Sequence, residues 1–335
     1  LSGPERAYAV DRIYRQRPAA MLVVLPSVKD AETFLEDLLF FGASAPLPAG
    51  LFPGYNLLPF KSLSYHSETA AQRIRSLYSM VDEPFPVVVT SATAAMQRIL
   101  PKQDLCGYVD LIQAGEEIDR EDLIRSLVSG GYGRTAVVEE PGDFCVRGGI
   151  LDIFSPMYSE PLRIEQFGDM VESIRFFSAA SQRSLKSVDE AVILPAREAI
   201  ITEDRLAEVT AAVRAQAAAQ QLPVSRIRRL VDEIRKERTF SGIEGLLPLI
   251  YPEPATIFDY LPKDCLVVQI EPADLQLAAK RAYAQIEENF SAAVEEGRFC
   301  VEPERLFLSW SGLESRLEQQ PGITLKALPV EKETE

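Results

Sequence analysis

Arg163, Glu165 and Phe167 stand two residues apart in Pro161–Phe167, a β-rich run that begins at a proline and ends at Gly168-Asp169. Successive side chains of a strand point to opposite faces. These three therefore share one face, and Leu162 and Ile164 share the other. A phenylalanine beside an arginine and a glutamate does not read as core. Aromatic plus arginine is the composition of an anchor in a protein interface. The bland alternative is a Phe167 that covers a neighbouring loop and an Arg163 that is solvated.

Catalytic and metal chemistry is thinly represented elsewhere. The chain has one histidine, His66, which argues against a catalytic triad and against His-dependent metal sites. Beside Tyr65 it reads as a structural histidine. The four cysteines, Cys106, Cys145, Cys265 and Cys300, lie far apart with no CxxC pair, so buried or incidental thiols are expected rather than disulfides or a zinc site. No metal and no cofactor is expected.

The elements that must carry the candidate face lie in Phe144–Phe177. Three strand-like runs are expected there: Val146–Phe154, with Gly148-Gly149 inside it, then Pro161–Phe167 and Val171–Phe177. The turn-rich breaks at Ser155–Glu160 and Gly168-Asp169 make this an antiparallel meander.

Around it, the 335 residues suggest about two or three domains. The net charge of −15 argues against a module that holds a nucleic-acid duplex by itself, because such binding draws on phosphate neutralisation by Lys and Arg. Protein partners fit better, with little or no direct DNA binding. No apolar run approaches the ~18–20 residues of a membrane span. The start, LSGPERAYAV, has no cleavable signal pattern. A cytoplasmic location follows as the expectation.

In chain order, Ala7–Gln16 reads as a helix and Ala19–Leu25 as a strand buried on both faces of a parallel sheet. Ser27 caps a helix over Val28–Phe41, which ends at Gly42. Residues 43–60 read as irregular and Ser67–Val81 as a helix. Val87–Thr90 is a buried strand, followed by a helix from Ser91 through Ile99. This order is the grammar of a doubly wound α/β domain.

The grammar changes near Tyr108. A helix over Asp119–Val128 and Gly130, Gly131 and Gly133 lead into the meander, a compact α+β insert ending near Pro195. Thr202 then caps an Ala-rich helix to about Gln221. Val224–Arg238 forms a helix carrying Arg226, Arg228, Arg229, Arg235, Lys236 and Arg238. The interleaved Asp232, Glu233 and Glu237 favour a solvated, salt-bridged face over a nucleic-acid patch. Cys265–Ile270 is a third buried strand. The expected division is residues 1–105 and 196–312 as two parts of one α/β domain, residues 106–195 as the insert, and residues 313–335 as a charged tail, disordered or truncated.

Several stretches together resemble the UvrB family, and more specifically the UvrB-homologous N-terminal region of the transcription-repair coupling factor (Mfd) family. They are Phe144–Phe154, Arg163–Val171 with Phe167-Gly168-Asp169, Ser241-Gly242-Ile243-Glu244, and Thr256–Pro262 followed by the LVV strand. The resemblance covers about residues 1–312. Tyr55-Asn56-Leu57-Leu58-Pro59-Phe60, before the helix with Arg73, resembles the coupling factors more than UvrB.

The resemblance implies a P-loop-like doubly wound sheet whose nucleotide site is degenerate. At the P-loop position stand Gly3, Glu5, Arg6 and Ala7. Glu5 puts negative charge where phosphate would sit, Arg6 stands near the lysine position, and Ala7 cannot coordinate magnesium. No GK[ST] occurs in the chain. The acidic pair after the Val268 strand is replaced by Gln269-Ile270-Glu271-Pro272, and no room exists for a DNA-gripping hairpin between Leu58 and Val87. Nucleotide hydrolysis is therefore not expected of these residues, although the intact family member is an ATP-driven DNA translocase.

The meander in this family binds UvrA. Carried over by position, Arg147, Arg163 and Phe167 match residues implicated in that contact, with Glu165 and Asp169 as neighbours. The resemblance also implies a partner in the rest of the chain, the polymerase-binding and translocase domains, which would mask this face until activation. The rival expectations are a UvrB-like ATPase and a structural or autoinhibitory module packed on the translocase.

Overall fold

The computed structural model describes residues 3–55, 67–238, 240 and 242–327. His66, Ser241 and the Asn56–Phe60 part of the coupling-factor motif lie outside the described residues.

The α/β part opens with α1 (Glu5–Gln16), β1 (Met21–Leu25), α2 (Val28–Phe41), β2 (Ala49–Phe52), α3 (Ser67–Asp82), β3 (Val87–Ser91), α4 (Ala92–Ala95) and α5 (Lys102–Tyr108). The next stretch holds β4 (Asp110–Gln113), α6 (Arg120–Ser129), β5 (Gly133–Arg134), β6 (Asp143–Arg147), β7 (Ile150–Ile153), β8 (Leu162–Phe167), β9 (Met170–Phe177), β10 (Ser184–Val188) and β11 (Glu190–Ile193). The chain then runs through α7 (Leu206–Ala219), α8 (Val224–Glu237), α9 (Leu247–Ile250), α10 (Ile257–Tyr260), β12 (Leu266–Ile270), α11 (Pro272–Glu295), α12 (Pro303–Leu306), α13 (Trp310–Glu318) and β13 (Gly322–Leu325).

The expected mixed α/β class is present, as one parallel sheet together with antiparallel ones. The parallel sheet has the order β13-β12-β1-β3-β2. Its central strands are near-continuous apolar runs, MLVVL, VVVTS and LVVQI, as suits strands covered on both faces. Leu22, Val24, Val88 and Val267 feed the core on one face, and Met21, Val23, Val87, Val89 and Val268 the core on the other. Ser27 caps α2 as expected, its hydroxyl accepting the Asp30 N–H at 3.1 Å.

Four expectations are corrected. Residues 43–60 are not wholly irregular, because Ala49–Phe52 forms the edge strand β2, paired with β3. Its ladder partners are non-local, so the Pro- and Gly-rich sequence does not announce it. The helix from Ser91 stops at Ala95 rather than Ile99. Beyond it the Arg98 N–H donates to the Leu306 carbonyl and the Ile99 N–H to the Ala255 carbonyl, both at 2.8 Å. Thr202 does not cap α7, which begins at Leu206. Its hydroxyl instead bonds the Asp204 carboxylate and holds it below the ordinary carboxylate range. Residues 313–327 are not a loose tail either. α13 buries Leu313 and Leu317, and β13 adds a strand to β12.

The second sheet, antiparallel except for the parallel β5–β6 pair, has the order β10-β9-β8-β7-β6-β5, with β4 and β11 paired separately. One face packs on α6 through Leu151, Ile153, Leu162, Ile164, Val171 and Ile174, which meet Leu123 and Leu127. Arg73 ties this region to the parallel sheet. It is fully buried between the rings of Phe52 and Tyr55 and bonds Glu198 at 2.5 Å.

Candidate protein-binding site

The expected three-run meander is four strands. Val146–Phe154 is a hairpin, β6 and β7, folded at the Gly148-Gly149 pair that seemed to lie inside one strand. Gly148 has φ +57°, a left-handed conformation that glycine adopts without cost. A Cβ on Gly149 would stand 2.6 Å from the Gln166 carbonyl oxygen. The backbone there comes so close because the Gln166 N–H donates to the Gly149 carbonyl at 2.8 Å. The turn that follows Arg147 thereby lies against the end of the strand that carries Phe167.

Register fixes which side chains share the outer face. Arg147 is opposite Ile150, Ile150 opposite Glu165, Asp152 opposite Arg163, and Arg163 opposite Arg175. Cross-strand partners point to the same side. A bulge between Glu165 and Gln166 shifts the register, and Gln166 then pairs with Val171 on the buried side while Phe167 pairs with Met170 on the outer side. Arg147, Arg163, Glu165 and Phe167 are thus all on the face away from α6. Asp169 is in the two-residue turn between Phe167 and Met170.

The two arginines are not equivalent. Asp152 is fully buried and holds both. Its Oδ1 accepts from Arg163 Nε at 2.7 Å, and its Oδ2 accepts from Arg163 Nη2 at 2.9 Å and from Arg147 Nη2 at 2.6 Å. The Arg163 guanidinium also lies over the Phe177 ring, 4.4 Å from its centroid. Its side chain is 16% exposed, against 49% for Arg147. The Asp152 bond pushes the Arg163 pKa up, so its charge is permanent. Glu165 is paired with Arg175 and also accepts from the Ser173 hydroxyl at 3.0 Å.

Phe167 is 79% exposed and Met170 39%. The bland alternative does not fit these environments: Phe167 is largely exposed, and Arg163 is a half-buried ion-pair member rather than a solvated one. Asp152, Met170 and Arg175 were missed in the sequence. For Asp152 a signal existed, a lone carboxylate inside the apolar run Ile150–Phe154, where an unpaired charge would be costly. For Met170 the signal was its mirror position to Phe167 across Gly168-Asp169.

At the expected phosphate position, Gly3 and Pro4 form a turn and Glu5 opens α1. Ala7 is buried, and Arg6 forms an ion pair with Glu271, the residue that follows β12. Among the described residues no group of three or more His, Cys, Asp or Glu could hold a metal ion. No helix there is long and apolar enough to cross a membrane. On α8, Arg229 pairs with Glu233 and Arg226 donates to the Gly297 carbonyl; Arg238, just past its end, pairs with Glu203.

Residues 111–198 match the UvrB interaction domain family. The chain is 30% identical over 328 residues, 95% of its length, to the transcription-repair-coupling factor of Myxococcus xanthus. It is 31% identical over 326 residues, 96% of its length, to that of Haemophilus influenzae. It is 27% identical over 329 residues, 97% of its length, to that of Escherichia coli. The aligned part spans 27%, 27% and 28% of these three relatives, so the chain covers little more than a quarter of their length. The chain is therefore a homologue of the transcription-repair-coupling factors along about 95% of its own length, and its residues 111–198 match the UvrB interaction domain family.

Proposed function

We propose that this chain is the module that recruits UvrA, the excision-repair partner of UvrB, by presenting a UvrB-like face, and so links repair to a stalled transcription complex. The observation that carries the reading is the outer face of β6–β9. An exposed phenylalanine and a half-exposed arginine share it, inside the segment that matches the UvrB interaction domain. Such a face suits a partner with an apolar pocket next to a carboxylate.

The α/β part acts as scaffold in this reading, with a P-loop-like but degenerate nucleotide site. The Arg6–Glu271 ion pair supports this, because it spends on each other the cation and the carboxylate that a nucleotide site would turn toward phosphate and magnesium. The excess of acidic residues supports little direct DNA contact. The remaining partners would be the polymerase-binding and translocase portions of a longer protein.

The test is a titration of the chain against UvrA by calorimetry. Binding at micromolar concentration or tighter is expected. No heat and no complex at that concentration removes the recruitment reading and leaves a structural module. A parallel titration with magnesium-ATP is expected to show no binding, and a measurable affinity would revive the ATPase reading.

A further inference from the structure

The two arginines of the candidate face are bonded to one buried carboxylate, and the geometry points to a division of labour between them. We propose that Arg147 is the contact residue, reaching a carboxylate of the partner, and that Arg163 is a positioning residue that acts through Asp152 without touching the partner. The inference rests on the UvrA-recruitment reading and goes beyond it by assigning the roles.

Arg163 has little left to offer a partner. Its Nε and Nη2 are both used by Asp152, its plane is covered by Phe177, and its side chain is 16% exposed. Arg147 is the opposite case. One nitrogen, Nη2, is bonded to Asp152 at 2.6 Å, and no further bond of its guanidinium is found among the described residues. Its side chain is 49% exposed.

The charges point the same way. Two guanidinium groups share one carboxylate, so one positive charge is uncompensated within the trio. The bidentate, stacked and less exposed member takes the compensation, and the excess lies on the more exposed member. Asp152 Oδ2, which accepts from both arginines, is the link. With Arg163 in place the carboxylate is locked at both oxygens and can hold Arg147 in one orientation, just before the Gly148-Gly149 turn. Preorganising a long side chain in this way reduces the ordering cost of association.

The experiment is a double-mutant cycle in UvrA affinity, with Arg147→Ala, Arg163→Ala and the double variant, each confirmed folded by its melting transition. Arg147→Ala is expected to weaken binding by about 10- to 100-fold, as for a lost charge-assisted contact. Arg163→Ala is expected to weaken it by a smaller factor. In the Arg147→Ala background, Arg163→Ala should add less than about twofold, because a positioning residue has nothing left to position. Asp152→Asn, which keeps the volume and never reaches the surface, serves as the second variant if Arg163→Ala does not fold. It should weaken wild-type binding and leave Arg147→Ala unchanged.

Losses from Arg147→Ala and Arg163→Ala that multiply would show that Arg163 touches the partner, and would overturn the assignment while recruitment stands. An Asp152→Asn loss that persists in the Arg147→Ala background would overturn it equally. A wild-type chain that does not bind UvrA overturns the recruitment reading and the inference with it.

Discussion

Replacing Phe167 by alanine separates binding from folding most cleanly. The ring is 79% exposed, so the folded chain derives little from it, and truncation should change stability by about 0.5 kcal/mol or less. For a chain of this size that is a melting shift of roughly 1 °C or less. Enclosing a phenylalanine fully buries about 150–250 Å². Since about four-fifths of this ring is still open to solvent, enclosure by a partner at ~25 cal/mol per Å² is worth at most about 3–5 kcal/mol. Part of this is lost to ordering and to imperfect fit, which leaves about 2–4 kcal/mol, the range of an aromatic hot spot. In affinity that is roughly 30- to 1,000-fold. The assay is calorimetric or surface-based titration of wild type and Phe167→Ala against UvrA, beside thermal melts of both. A loss below about twofold would refute the placement of Phe167 at the centre of the contact. A melting point that falls by many degrees together with the affinity would show that the ring supports the fold, contrary to its exposure.

The remaining expectations concern the scaffold. Arg73→Met leaves Glu198 buried without its charged partner and should cost about 3–5 kcal/mol, read as a melting point lower by roughly 4–7 °C; adding Glu198→Leu should recover part of the loss. Gly149→Ala places a Cβ 2.6 Å from the Gln166 carbonyl and should cost about 1–3 kcal/mol in urea unfolding while also weakening UvrA binding, because the turn must move away from the Phe167 strand. Glu244 is pushed above its ordinary value of 4.5 chiefly by burial, and Arg197, 3.6 Å away, only partly opposes the shift. The folded state then holds this proton more tightly than the unfolded state. The stability it contributes is full below pH 4.5 and is lost as pH rises through the folded value. Glu244→Gln should therefore be more stable than wild type at pH 7 and lose that advantage below pH 4.5, as followed by melting across the range.

Much of this protein was determined by local sequence. The apolar runs of β1, β3 and β12 could only be strands covered on both faces, and the Ser27-capped spacing of α2 could only be an amphipathic helix. Alternation alone put Arg163 and Phe167 on one face of β8, since the side-chain period of a strand needs no tertiary information. What local pattern could not settle depended on partners distant in the chain. β2 is a strand because β3 offers it a ladder, and β13 is ordered because β12 does. The bulge between Glu165 and Gln166 sets Met170 rather than Val171 opposite Phe167, and the Gly149–Gln166 approach brings the turn after Arg147 against the end of β8. The distinct states of the two arginines were decided by tertiary structure alone. Cross-strand register brings Asp152 under both guanidinium groups and the Phe177 ring under only one. Burial and pairing of a charge are properties of that assembled environment, not of the residue type that carries it.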